Sequence, residues 1–134
     1  MARAFILVLD SFGIGAAPDA DRWGEADADT LGHIADWCAA GNVAEDRPTA
    51  GPIKLPTMTK LGLGKAAELA TGREPKGMEY AGEITGMYAA CAEESFGKDT
   101  PSGHWEMAGV PVKFDWGYFP PEFPSFPEDL ISKL

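Results

Sequence analysis

Gly97-Lys98-Asp99-Thr100-Pro101-Ser102-Gly103-His104-Trp105-Glu106 brings carboxylates, two hydroxyls, a histidine and a lysine into ten positions. The same stretch reads as a helix start. Thr100 suits the N-cap and Pro101 the first helical position, where a missing N–H costs nothing, with a short helix over residues 106 to 110. The amides of Ser102 and Gly103 would then point outward at a helix N-terminus, which favours an anion. A hydroxyl in that place can attack phosphorus and also hold the resulting phosphate. Threonine alone is a weak nucleophile at neutral pH, so this chemistry needs an activator. Neither His33 nor His104 is spaced to form an obvious local pair with Thr100, which favours a metal ion in that role. An ordinary helix cap is the alternative reading of Thr100.

A second candidate stands at Asp10. Residues 4 to 9 (Ala-Phe-Ile-Leu-Val-Leu) form a continuous apolar run bounded by Asp10-Ser11-Phe12-Gly13. Such a run predicts a buried strand of a parallel sheet covered on both faces. Ligands gather at the carboxyl ends of strands in open α/β sheets, and a carboxylate there suits a divalent metal. An Asx-turn after the strand is the competing reading. Ser11 reads as structural, and both histidines as capping or core residues. Asp19, Asp21, Asp27 and Asp29 are dense but lack the spacing of a calcium loop.

The elements that must position these groups follow from punctuation. Gly13, Gly15, Pro18 and Gly24 mark a long loop, and the 27–30 stretch offers N-caps for a helix over residues 31 to 40. Residues 42 to 56 carry three prolines and form a connector. Pro56 opens a short helix closed by Gly62 or Gly64, and residues 66 to 71 are weakly helical. Residues 84 to 92 read as a second strand. The stretch 114–127 is aromatic and proline-rich and cannot be a regular helix. Residues 128 to 134 begin an amphipathic helix of about two turns.

Composition narrows the function. The chain has 134 residues, 45% of them apolar, a net charge of −10, sixteen glycines and eleven prolines. That suits one modest domain rich in turns. The acidity argues against nucleic acid or an anionic membrane as the main partner. An acidic protein that handles anions needs metal ions or helix N-termini to do so. Cys38 and Cys91 read as buried free thiols. Without a signal-peptide pattern or a membrane-length apolar run, the expected location is cytoplasmic.

Five segments carry a resemblance: Val8-Leu9-Asp10-Ser11-Phe12-Gly13-Ile14-Gly15, Ala17-Pro18-Asp19-Ala20, Asp29-Thr30-Leu31-Gly32-His33-Ile34, Leu61-Gly62-Leu63-Gly64, and the Lys98-to-Glu106 stretch. In this order they resemble the N-terminal part of the phosphopentomutases of the alkaline phosphatase superfamily. Where that family commonly has Met-Thr after Lys-Asp-Thr, this chain has Pro101-Ser102, which keeps a hydroxyl and the helix start.

The resemblance implies an α/β fold: part of an alkaline-phosphatase-like core, truncated, with a mostly parallel sheet flanked by helices. Residues 1–110 would belong to the metal-binding phosphotransfer core, and 111–134 to the aromatic segment and the start of a cap domain. It implies an isomerase that moves phosphate between C1 and C5 of ribose or deoxyribose through a phosphothreonine. Thr100 would be the phosphate carrier, Asp10 and Thr100 ligands of two Mn²⁺ ions, and Lys98, Asp99, Ser102, Gly103 and His104 the phosphate-binding set. A bisphosphorylated sugar would prime the threonine, and the substrates would be pentose 1- and 5-phosphates. The family's remaining metal ligands lie downstream of the matching region, so these 134 residues alone are expected to have no mutase activity. Two alternatives stay open: a non-catalytic domain that binds a partner through residues 114–126, and a metal-dependent phosphatase or sulfatase relative.

Overall fold

Asp29 decides where the first helix begins. Its carboxylate accepts the Gly32 amide at 3.1 Å, capping helix α1, Thr30–Ala39. The same oxygen accepts the Gly15 amide at 3.1 Å, so the loop after Asp10 is tied to the helix it precedes. The Leu31 amide donates to the Gly13 carbonyl at 3.0 Å and tightens that junction. This is the helix expected from the sequence, shifted by one residue.

The computed structural model describes residues 2–43 and 50–134. The centre of the proline-rich connector lies outside them. The chain divides into two compact units, Met1–Ala92 and Glu93–Leu134. The first contains α1, α2 (Pro56–Leu61) and α3 (Leu63–Thr71), with a 3-10 turn at Ala20–Trp23. The second contains α4 (Thr100–Met107) and α5 (Glu128–Ile131).

Proline at the start and a left-handed glycine at the end set the limits of α2, as its sequence predicts. Gly62 (φ 107°) both ends α2 and precedes α3. A Cβ there would lie 2.8 Å from Tyr88 Cδ1, so the position requires glycine for space as well as for φ. The core of this unit is Leu31, Ala67 and Met78, with Phe12, Ile14, Ile53, Leu55 and Leu63 packed against it. Full burial of a leucine or methionine side chain contributes about 1.5–3 kcal/mol. Around its rim Arg73 bridges Asp29 and Asp36, at 3.4 and 3.0 Å, and Lys76 reaches Asp36 at 3.0 Å. The Lys76 hydrogen bond, with help from Arg73, holds the Asp36 carboxyl below its ordinary value.

Three sequence expectations read differently here. Residues 4–9 and 84–92 carry no strand pairing, and no ladder forms among the described residues. Strand hydrogen bonds need a neighbouring strand. Without one, Phe5, Ile6 and Leu7 are 82%, 74% and 92% exposed. Cys38 is buried, but Cys91 is exposed, because the segment around it joins no sheet; neither forms a disulfide. The C-terminal helix is a single turn, Glu128–Ile131.

The Glu93–Leu134 unit is organised on a carboxylate. Glu106, on α4, accepts the amides of Glu94 and Ser95 at 2.7 and 2.8 Å and the Ser95 hydroxyl as well. Ser95 Oγ accepts the Val112 amide at 3.0 Å, and the Phe96 amide donates to the Val112 carbonyl at 3.0 Å. Residues on both flanks of α4 are thereby fastened to it. The bonds from Ser95 and Glu94 hold the Glu106 carboxyl below the usual range. The aromatic segment folds on itself: Phe114 and Phe119 meet Trp116 and Phe126 edge-on, each at 4.9 Å between ring centres.

Candidate functional site

The helix that carries Thr100 is capped by Asp99, one residue earlier than the sequence suggests. Both residues are good caps, but only the Asp99 carboxylate reaches Ser102 twice. Oδ1 accepts the Ser102 amide and Oδ2 the Ser102 hydroxyl, both at 2.8 Å. Thr100 is therefore the first helical residue and Pro101 the second, and helical residues run from Thr100 to Met107. Proline is tolerated at either position because all first-turn amides lack helical partners.

This cap changes the electrostatics of the helix start. The two amides expected to face an anion are engaged: Ser102 N with Asp99 Oδ1, and Gly103 N with the Asp99 carbonyl at 3.2 Å. The carboxylate already complements the helix dipole. Ser102 is fully buried, and its oxygen also accepts the Trp116 indole N–H at 2.7 Å. Thr100 differs: it is exposed, and its hydroxyl has no hydrogen-bond partner among the described residues.

His104 is exposed, neither core nor cap, and its Nδ1 lies 2.9 Å from the Thr100 carbonyl. A carbonyl only accepts, so Nδ1 is the donor in this contact. Lys98 is exposed. His33 lies on the exposed face of α1, away from the core formed by Leu31 and Ala35.

Asp10 stands in the other unit. It is exposed, and its Oδ1 accepts the Ser11 amide at 3.0 Å. The Phe12 amide closes a turn onto the Leu9 carbonyl at 3.2 Å. Ser11 takes φ 57°, the left-handed region that non-glycine residues seldom adopt. Residues held there cluster at functional sites. Sequence reasoning passed over this feature: a serine between Asp and Phe carries no left-handed signal, unlike glycine or asparagine.

The matching family model is that of the metalloenzyme superfamily, over residues 2–123. The chain belongs to the metalloenzyme superfamily. It is 60% identical over all 134 residues to a phosphopentomutase of Pectobacterium carotovorum subsp. carotovorum, covering 100% of this chain and 32% of that protein. A phosphopentomutase of Rhizobium meliloti is 58% identical over 134 residues, covering 100% of this chain and 33% of its own length. One from Sodalis glossinidius is 59% identical, with 100% and 32% covered. The chain thus spans about a third of the length of the curated relatives it matches. No solved structure gives a significant match.

Membership implies a metal cofactor. The donor chemistry suits a hard divalent cation, since Asp10 offers carboxylate oxygen and Thr100 a hydroxyl. The donor number does not complete a site. No group of three or more His, Cys, Asp or Glu side chains converges among the described residues. Asp10 and Thr100, each within its own unit, carry donor atoms of the kind such a cation accepts. Among the described residues no helix is long and apolar enough to cross a membrane.

Proposed function

We propose that this chain supplies the phosphate-carrying part of a phosphopentomutase, an isomerase that moves phosphate between C1 and C5 of ribose or deoxyribose. The observation that carries the proposal is identity near 60% along the whole chain to proteins of that name. The accessible, unengaged Thr100 hydroxyl supports it locally, because a carrier must meet its substrate. The exposed apolar run 4–9 supports an α/β core in which this segment is a covered parallel strand and Asp10 stands at its carboxyl end.

Thr100 Oγ attacks the phosphorus of a bisphosphorylated sugar, the activator. The Oγ–P bond forms as the bond between phosphorus and the sugar oxygen breaks, and that oxygen departs with its electron pair and takes up the proton given up by the Thr100 hydroxyl. Phosphothreonine then passes the group to the free hydroxyl of a pentose 1- or 5-phosphate and takes back the other phosphoryl, which regenerates the carrier and moves the substituent. Asp10 and Thr100 would be among the ligands of two Mn²⁺ ions, which when bound would supply Lewis acidity that lowers the hydroxyl pKa and offsets charge on the phosphoryl group. Lys98 balances phosphate charge, with Gly103 and His104 as further members of the phosphate-binding set. Asp99 and Ser102 shape the helix start. The setting is cytoplasmic, with neither nucleic acid nor membrane as partner.

The test is a graft in which this chain replaces the matching third of the Pectobacterium relative. With a pentose 1,5-bisphosphate and Mn²⁺, mass spectrometry should find phosphate on Thr100, and Thr100→Ala should abolish isomerisation. An active graft that never carries phosphate on Thr100 overturns the proposal. The 134-residue chain alone should show no turnover.

A further inference from the structure

Ser102 is the one fully buried polar side chain in its unit, and its bonds have a fixed direction. An indole nitrogen can only donate, and an ionised carboxylate can only accept. The Trp116 N–H therefore gives its hydrogen to Ser102 Oγ at 2.7 Å, and the Ser102 hydroxyl must give its own to Asp99 Oδ2 at 2.8 Å. The Ser102 amide completes the closure on Asp99 Oδ1. Each bond polarises the next, so the set is stiffer than its separate parts. It is also crowded: a Cβ at Gly97 would lie 2.6 Å from Tyr118 Oη and 2.8 Å from Trp116 Cδ1.

We propose that Trp116, acting through Ser102 and Asp99, is a positioning residue that sets the pose of the Thr100 hydroxyl. Thr100 lies between Asp99 and Ser102 in the chain, so fixing those two neighbours fixes the first turn on which it stands. Both oxygens of the Asp99 carboxylate are committed to Ser102, which leaves the Thr100 hydroxyl open to its phosphoryl donor. Trp116 comes from the aromatic segment, so that segment has a task in the reaction beyond packing. This inference rests on the proposed carrier role of Thr100.

Two measurements test it. In the 134-residue chain, the Trp116 indole proton should be protected from solvent exchange, and Ser102→Ala should remove that protection; rapid exchange in the unaltered chain overturns the inference. In the graft, Trp116→Phe keeps a ring and deletes the donor. Phosphate transfer to Thr100, counted per folded molecule, should slow roughly tenfold, with the KM for pentose phosphate unchanged. Phe114→Leu, which alters the ring packed against Trp116 and leaves the N–H in place, should stay within about twofold of the parent. Equal transfer rates in Trp116→Phe and the parent, with Thr100 phosphorylated in both, overturn the positioning role alone. Absence of phosphate on Thr100 in the parent overturns the carrier role and the positioning role with it.

Discussion

In the unit Met1–Ala92 the large buried side chains are Leu31, Met78 and Cys38; in Glu93–Leu134 they are Val112 and Ser102. The first unit excludes water with aliphatic and sulfur-bearing groups gathered where α1 and α3 meet the loops. The second has little apolar interior and relies on two carboxylates, Glu106 and Asp99, that gather amides and hydroxyls from flanking segments. Apolar burial is tolerant of direction and sensitive to volume. Polar closure is the reverse, with little volume at stake but every partner required. The candidate phosphate carrier stands on the second kind of scaffold, where direction is controlled.

Leu31→Ala attacks the apolar side of this contrast. Leu31 is fully buried in the central cluster, so the substitution should cost about 2–5 kcal/mol. Urea unfolding followed by far-ultraviolet circular dichroism measures it, and a loss below about 1 kcal/mol would break the idea that an aliphatic core holds this unit. Ser102→Ala attacks the polar side with a far smaller change in volume. It leaves the Trp116 N–H and one Asp99 oxygen without their partner, which costs about 1–3 kcal/mol. The same titration read through the NMR signal of the Trp116 indole N–H checks it. A neutral outcome would mean that the bonds around Ser102 are replaceable by water.

Local punctuation explains which parts of the molecule the sequence made visible. Pro56 and Gly62 bracket α2 because each acts through its own backbone, and α1 begins at a carboxylate that a reader of the 27–30 stretch already suspects. The sequence points to Thr100 as the α4 cap because it stands directly before a proline, and the cap is Asp99. The choice is made by Ser102, whose hydroxyl gives Asp99 a second bond, and by Trp116, which lies fourteen residues beyond it. Trp116 lies in a run whose sequence excludes a regular helix and says no more, since nothing in an aromatic and proline-rich segment tells which ring will donate a hydrogen bond. Residues 4–9 have the composition of a covered strand, but pairing is a property of two segments and the pattern of one cannot supply it.

Smaller effects sharpen the contrast further. Asp29→Ala removes the α1 cap together with the bond to Gly15, and should cost about 0.5–2 kcal/mol. Amide exchange should rise at Gly15 and Gly32 together. A rise at Gly32 alone would show that the loop after Asp10 does not depend on this carboxylate.

The smallest expected effect is one of pH, and it separates the two scaffolds by mechanism. Glu106 is held below its ordinary value by hydrogen bonds from Ser95 and Glu94. A depressed carboxyl stabilises the folded form fully above the unfolded value, about 4.3 for glutamate. That contribution is lost as pH falls through the lower folded value, because the protonated acid gives up acceptor capacity. Acidification below about pH 4 should therefore loosen the segments around Ser95 and Val112, seen as faster exchange of their amides, and Glu106→Gln should flatten this dependence. In the first unit the apolar contacts among Leu31, Ala67 and Met78 do not titrate, while at the rim the Asp36 carboxyl, held down by Lys76 and Arg73, responds in the same range. Equal acid sensitivity at Met78 and at Val112 would show that charge, and not apolar burial, governs both units.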